Sequence, residues 1–165
     1  MIGILAGDRM FDPARSLELN EAGGAVARAP TASPRLLVID DDNLHRMIIC
    51  RVAAKAGYAP AGAATYDEAG TILQDGAFDC ITLDLSLGPR AGVEMLRHLS
   101  GIGCKAPIIV ISGCDDATCS EAVKVAKSFN LNIWESIRKP VDLTVLRYWF
   151  ERLKAERETA AVAAA

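Results

Sequence analysis

Four short apolar runs in this chain each stop at a residue capable of chemistry. Leu36-Leu-Val-Ile39 runs into Asp40-Asp41-Asp42, and Cys80-Ile-Thr-Leu83 runs into Asp84. Ile108-Ile-Val-Ile111 ends at Ser112, and Leu131-Asn-Ile-Trp-Glu-Ser-Ile137 leads into Arg138, Lys139 and Pro140. Runs of this length, apolar and rich in β-branched residues, are expected of strands covered on both faces, as in a parallel sheet. Ligands of an open α/β sheet sit just outside the carboxyl ends of its strands. A carboxylate at Asp84 is therefore read first as a reacting group. For a lone strand-end aspartate the competing reading, a loop cap, would be preferred; the acids, the hydroxyl and the lysine at the other strand ends tip the balance toward chemistry.

The segments between these runs have helical spacing. After the triple acid, Leu44, Met47, Ile48 and Val52 follow a helical period, with Asp42 or Asn43 as N-cap and Gly57 as the stop. Tyr58-Ala-Pro-Ala-Gly-Ala63 reads as a weak strand, and Pro60, lacking an N–H for the ladder, places it at a sheet edge. Thr65 to Glu68 is a capping box that opens a short helix through Ile72 and Leu73 to Gly76. Val93, Leu96 and Leu99 mark a third helix, stopped by Gly101 or Gly103. Asp115 or Asp116 caps a fourth, with Ala122, Val123, Ala126 and Phe129 on one face. Leu143, Leu146, Phe150 and Leu153 stripe a fifth, which the Ala-rich end of the chain could extend.

Five strands alternating with five helices predict an α/β fold: a doubly wound, five-stranded parallel sheet of flavodoxin-like order 2-1-3-4-5, with helices on both faces. That order brings the ends of the first, third, fourth and fifth strands to one switch point. An acid pair, a single acid, a hydroxyl and a lysine converge there.

A chain of 165 residues accommodates one domain with a substantial core plus tails. Residues 1–34, small-residue and proline-rich toward their end, read as a disordered tail. The domain spans 35–157, and an Ala-rich tail covers 158–165. The net charge of −3 argues against a nucleic-acid surface. Met1-Ile-Gly-Ile-Leu-Ala6 lacks the basic start and apolar length of a signal peptide or membrane span. Five cysteines, at 50, 80, 104, 114 and 119, are odd in number and without C-x-x-C spacing, which points to reduced thiols in a cytoplasmic setting.

The ordered set Val-Ile-Asp40-Asp41-Asp42, Leu-Asp84-Leu, Val-Ile-Ser112-Gly113 and Lys139-Pro140 resembles the receiver domains of two-component response regulators, over about residues 35–155. Each short motif is weak alone; the set in order is specific. The resemblance implies Asp84 as phosphoacceptor, Asp41 as direct Mg²⁺ ligand and Asp40 as its neighbour acting mainly through water. Ser112 would be the hydroxyl that meets the phosphoryl group, and Lys139 its ion-pair partner. Such types suit the task, because phosphoryl transfer spreads negative charge over three oxygens that must be positioned and neutralised. Mg²⁺ takes hard oxygen ligands, which Asp41, Asp84 and the Ser86 backbone carbonyl would supply. Without the ion, Asp40, Asp41 and Asp84 would repel one another, so Mg²⁺ is expected to stabilise the fold.

The resemblance further implies a sensor histidine kinase or phosphotransfer domain as donor and a downstream protein target; the acidic charge balance and the short apolar start argue against nucleic acid and membrane as partners. It implies a stand-alone phosphoacceptor that takes part in its own transfer and dephosphorylation without being an enzyme in its own right. His45 and His98, on helices, do not look like a donor phosphohistidine. Val145 and Trp149 broaden the apolar arc of the last helix, which could support a homodimer or reflect deep burial.

Three positions depart from the family pattern. Gly88, followed by Pro89, stands where a proline is usual four residues after the acceptor, and Gly92 keeps the usual glycine. Ser136 replaces the aromatic residue three before the lysine, and on a regular strand Trp134 would share its face. The approach to Lys139 looks more like receivers attached to cyclic-dinucleotide phosphodiesterase modules, which carries no catalytic claim for this chain. Other readings compete: a phosphorylation-independent interaction module that keeps only the fold, or an aspartyl phosphatase. The latter wants a second acid two residues after the nucleophile, where Ser86 stands. A nucleotide site would want a glycine-rich turn after the first strand, where acids stand.

Overall fold

A computed structural model of the chain describes residues 33–87, 91–113 and 116–163. Strands and helices alternate throughout: β1 (Arg35–Ile39), α1 (Asn43–Lys55), β2 (Ala59–Ala63), α2 (Tyr66–Gln74), β3 (Cys80–Asp84), α3 (Ala91–Gly101), β4 (Ile108–Ser112), α4 (Asp116–Ser128), β5 (Ile133–Arg138) and α5 (Leu143–Ala163). All five strands pair in parallel, in the order β2-β1-β3-β4-β5. The expected doubly wound fold is therefore present, with the proline-containing β2 at one edge.

The central strands are buried because both their faces are covered. In β1, Leu36 and Val38 pack toward α1 and α5, with Ile49, Ala53, Leu146 and Phe150. Leu37 and Ile39 pack toward α2, α3 and α4, with Ala69, Met95, Leu96, Leu99 and Ala126. Strand alternation sends successive residues to opposite faces, so a continuous apolar run feeds two cores at once. Each such Leu, Ile or Val, fully removed from water, stabilises the fold by about 1.5–3 kcal/mol.

The helix boundaries follow the local signals. Asp42 is the N-cap of α1, its carboxylate accepting the His45 N–H at 2.9 Å. Gly57 follows the helix with a φ of 89°, where an L side chain would be strained. Thr65 caps α2 by accepting the Glu68 N–H, while Glu68 reaches back to the Ala64 N–H, one residue before the cap. Helix α5 continues through the Ala-rich segment to Ala163.

Some details differ from the sequence reading. Leu44 and Met47 of α1 are 61% and 41% exposed, and the helix buries Ile49 and Ala53 instead, with Ala56 buried at its C-cap. Apolar residues lie all round this helix, so spacing alone selects the wrong stripe. Leu143 is likewise 42% exposed, leaving Leu146, Phe150 and Leu153 as the buried stripe of α5. Strand β5 is irregular: Ile108 pairs with Ile133 but Ile109 with Glu135, so Trp134 is an inserted residue. Trp134 and, beyond the bulge, Ile137 both pack on the α1/α5 face, Trp134 under the Arg152 guanidinium. Ser136 is exposed. Trp134 therefore does not share the face of Ser136, because the regular alternation on which that expectation rested is broken between them. The altered loop at Gly88 and Pro89, and the expectation for residues 1–32, lie outside the described residues.

Candidate functional site

The carboxyl ends of β1, β3, β4 and β5 meet at one edge of the sheet. Asp84 is the last residue of β3 and is 2% exposed; Asp40 directly follows β1 and is 1% exposed. The Asp40 N–H donates to the Ala63 carbonyl at the end of β2, which extends the strand ladder to the acid itself. Asp41 turns outward and is exposed. One carboxylate oxygen each from Asp40, Asp41 and Asp84 lie within 4.8 Å of one another. Asp42, the third acid of the run, is used up as the α1 cap. The His45 backbone N–H that it accepts holds its carboxyl below the ordinary carboxylate range.

Lys139 closes the cluster from β5. Its backbone N–H donates to the Ser112 carbonyl at 3.0 Å, continuing the β4–β5 ladder past Arg138. Its ammonium donates to Asp84 Oδ2 at 2.6 Å and to Asp40 Oδ2 at 3.2 Å. Burial acts to lower the lysine pKa, but the hydrogen bond to Asp84 and the charges of Asp84 and Asp40 outweigh it. The result lies above the ordinary lysine value. Ser112 ends β4 and is buried; Ile111 pairs with Asp84, so Ser112 sits one step further along the neighbouring strand. Ser86 is tied to the site through its N–H, which donates to Asp84 Oδ1 at 2.8 Å. Asp84 thus also anchors its own loop, as the loop-cap reading expects.

Two residues near this cluster escaped the sequence reading. His45 Nδ1 makes a short contact with Asp40 Oδ2. Arg46 donates to the Asp40 carbonyl at 2.7 Å and to Asn43 Oδ1 at 2.9 Å. Its side chain passes over Gly62 of β2, where an added Cβ would come within 3.2 Å of it. The cap held the signal: with Asp42 as N-cap, His45 is the third helical residue, and helical side chains lean back toward the N-terminus, here toward the strand ends.

Hard oxygens opposed by a single ammonium leave this cluster with net negative charge in a largely buried setting. That donor set fits a small divalent cation such as Mg²⁺.

The pattern of the response regulator receiver domain matches residues 36–150. The chain belongs to the response regulator receiver family. Receivers of this kind serve two-component signalling. This receiver is 33% identical over 120 residues to a protein-glutamate methylesterase/protein-glutamine glutaminase of Koribacter versatilis, a match covering 67% of this chain and 30% of that protein. It is 34% identical over 98 residues to the chemotaxis protein CheY of Thermotoga maritima, covering 58% of this chain and 82% of CheY. The receiver thus spans under a third of the methylesterase but most of CheY. Among solved structures, a response regulator from Colwellia psychrerythraea superposes with a TM-score of 0.65 at 24% identity, covering 74% of this chain and 98% of that one. A response regulator from Burkholderia pseudomallei, described with a phosphorylated aspartic acid, a calcium ion and citrate, gives 0.58 at 28% identity, covering 75% and 72%. Among the described residues of the receiver, no helix is long and apolar enough to cross a membrane.

Proposed function

We propose that this receiver accepts a phosphoryl group on Asp84 and passes the signal on by protein contact. The observation that carries this reading is the setting of Asp84, a carboxylate at a buried strand end, 2.6 Å from the Lys139 ammonium and clustered with Asp40 and Asp41. The donor is a phosphohistidine on a sensor histidine kinase or a phosphotransfer domain. One Asp84 oxygen forms the new O–P bond as the P–N bond to the donor imidazole breaks, and that imidazole nitrogen leaves with the electron pair and takes up a proton. Lys139, already on Asp84, neutralises the transferring group, and the Ser112 hydroxyl at the adjacent strand end meets one of its oxygens. Asp41, Asp84 and the Ser86 carbonyl would hold Mg²⁺, with Asp40 acting through water. When bound, the ion neutralises charge on the phosphoryl oxygens. The receiver domain proper comprises residues 35–157, acting in the cytoplasm.

Incubation with acetyl phosphate and Mg²⁺ should give an acid-labile, hydroxylamine-sensitive adduct, seen by intact mass, that is lost in Asp84→Asn. An adduct that survives in Asp84→Asn would place the chemistry elsewhere. One observation favours a second reading, an interaction module that works without phosphorylation: Ser136 is exposed where the family's ring would stand, and Trp134 packs on the other face. Absence of any adduct on the wild-type chain under forcing conditions would decide for that reading.

A further inference from the structure

Asp40 is more heavily engaged than its place at a strand end requires. Its Oδ1 accepts the Asp42 N–H at 2.9 Å. Its Oδ2 accepts from the Lys139 ammonium at 3.2 Å and also meets His45 Nδ1. A carboxylate offers only lone pairs, so Nδ1 carries the hydrogen and donates, whether the imidazole is neutral or cationic. The other ring nitrogen, Nε2, is buried and has no hydrogen-bond partner among the described residues. The ring therefore leaves one nitrogen unsatisfied while it holds the other on Asp40. Its backbone is fixed independently, by the His45 N–H on Asp42 and by Arg46 on the Asp40 carbonyl.

An oxygen that accepts two N–H donors has both lone pairs occupied. A water carried by an incoming cation must displace one of those donors to use Asp40 Oδ2. Resting on the phosphoacceptor reading above, we infer that His45 is a positioning residue that acts through Asp40 to hold down the Mg²⁺ affinity of the acid cluster. It keeps Asp40 turned toward α1 and Lys139, with a single lone pair left on Oδ1, while Asp84 keeps one lone pair on each oxygen and Asp41 is exposed. Loss of the donor frees a lone pair and exposes more negative charge, so the ion binds more tightly. A merely supporting role would give the opposite sign, because a loosened cluster binds metal less well.

The test is calorimetric titration of the full chain with Mg²⁺ alone, at one fixed pH, for wild type, His45→Phe, His45→Met and His45→Asn. Asparagine places an amide N–H near the position of Nδ1 and so restores the donor; Phe and Met do not. The donor-less variants should bind Mg²⁺ about tenfold more tightly, the scale of one hydrogen bond to a charged group, and His45→Asn should return to the wild-type value. Thermal melts identify which donor-less variant is folded, and either suffices. Unchanged or weaker Mg²⁺ binding in a folded donor-less variant, with wild type binding normally, overturns the role of His45 alone. A wild-type chain that binds no Mg²⁺ overturns the metal site of the phosphoacceptor reading, and this inference with it.

Discussion

Lys139 is the one cation among the described residues that touches both buried acids of the site, which makes it the residue on which the resting cluster depends. Asp40 and Asp84 are almost wholly removed from water, and an uncompensated buried charge is far more costly than an exposed one. Lys139→Met should therefore destabilise the chain by about 3 kcal/mol without Mg²⁺. An ion at the proposed Mg²⁺ site would replace the missing positive charge, so millimolar Mg²⁺ should raise the Tm of the variant more than that of wild type. Equal Mg²⁺ shifts in the two melts would separate Lys139 from the metal site. The same pair predicts a pH dependence. The Lys139 pKa lies above its ordinary value of 10.5 in the folded state, so the stability it lends is complete below 10.5 and is lost as pH rises through the folded value. The difference in unfolding free energy between wild type and Lys139→Met should be flat across about pH 7 to 9. It should shrink only above that range, as chemical denaturation at stepped pH would show.

At the scale of elements, the loop after β3 is shaped by a close approach at Gly92. A Cβ on Gly92 would lie 2.8 Å from the Leu85 carbonyl oxygen and 2.9 Å from its Cα, both backbone atoms that cannot rotate away. Leu85 joins Asp84 to Ser86, so relief of the clash must shift the backbone next to Asp84. Gly92→Ala should destabilise the chain by about 1–3 kcal/mol, as overpacking does, and should weaken Mg²⁺ binding as well. A variant that melts lower but binds Mg²⁺ like wild type would show that the loop absorbs the shift without moving the site. The same scale separates what could be read in the sequence from what could not. The runs of β1, β3 and β4 are apolar on both faces and lead to Asp40, Asp84 and Ser112, so strand, burial and candidate site residue are written in one short segment each. The face of α1 was not legible, since Leu44 and Met47 fit the helical period as well as Ile49 and Ala53 do. Nor was the bulge at Trp134, because an inserted residue leaves no mark in composition. His45 was missed for a further reason: its contact with Asp40 depends on the turn between β1 and α1, whose geometry is set by the Asp42 cap.

Across the whole molecule, the sheet divides two cores, and Cys80 lies wholly buried in the one shared with α1 and α5. Burial pushes its thiol well above the ordinary value of 9.0. Burial raises the Cys50 and Cys104 thiols and the Tyr58 hydroxyl too, the last of which donates to the Phe150 carbonyl at 3.0 Å. All four groups act in one direction. Above pH 9 the unfolded chain releases thiol protons that the folded chain keeps, so the unfolded state binds fewer protons and stability falls as pH rises. One thiol held fully protonated in the folded state lowers the unfolding free energy by about 1.4 kcal/mol one pH unit above its unfolded value. Denaturant unfolding under reducing conditions should therefore show stability that declines steadily from about pH 9 toward pH 10. Cys80→Ala leaves a cavity and should be less stable at every pH, yet its decline should be shallower by the share that Cys80 contributes. An identical slope in Cys80→Ala would mean that the Cys80 thiol ionises as readily in the folded chain as in the unfolded one. The core between β3, α1 and α5 would then have to admit water around it, contrary to the complete burial of Cys80, Leu36 and Phe150 there.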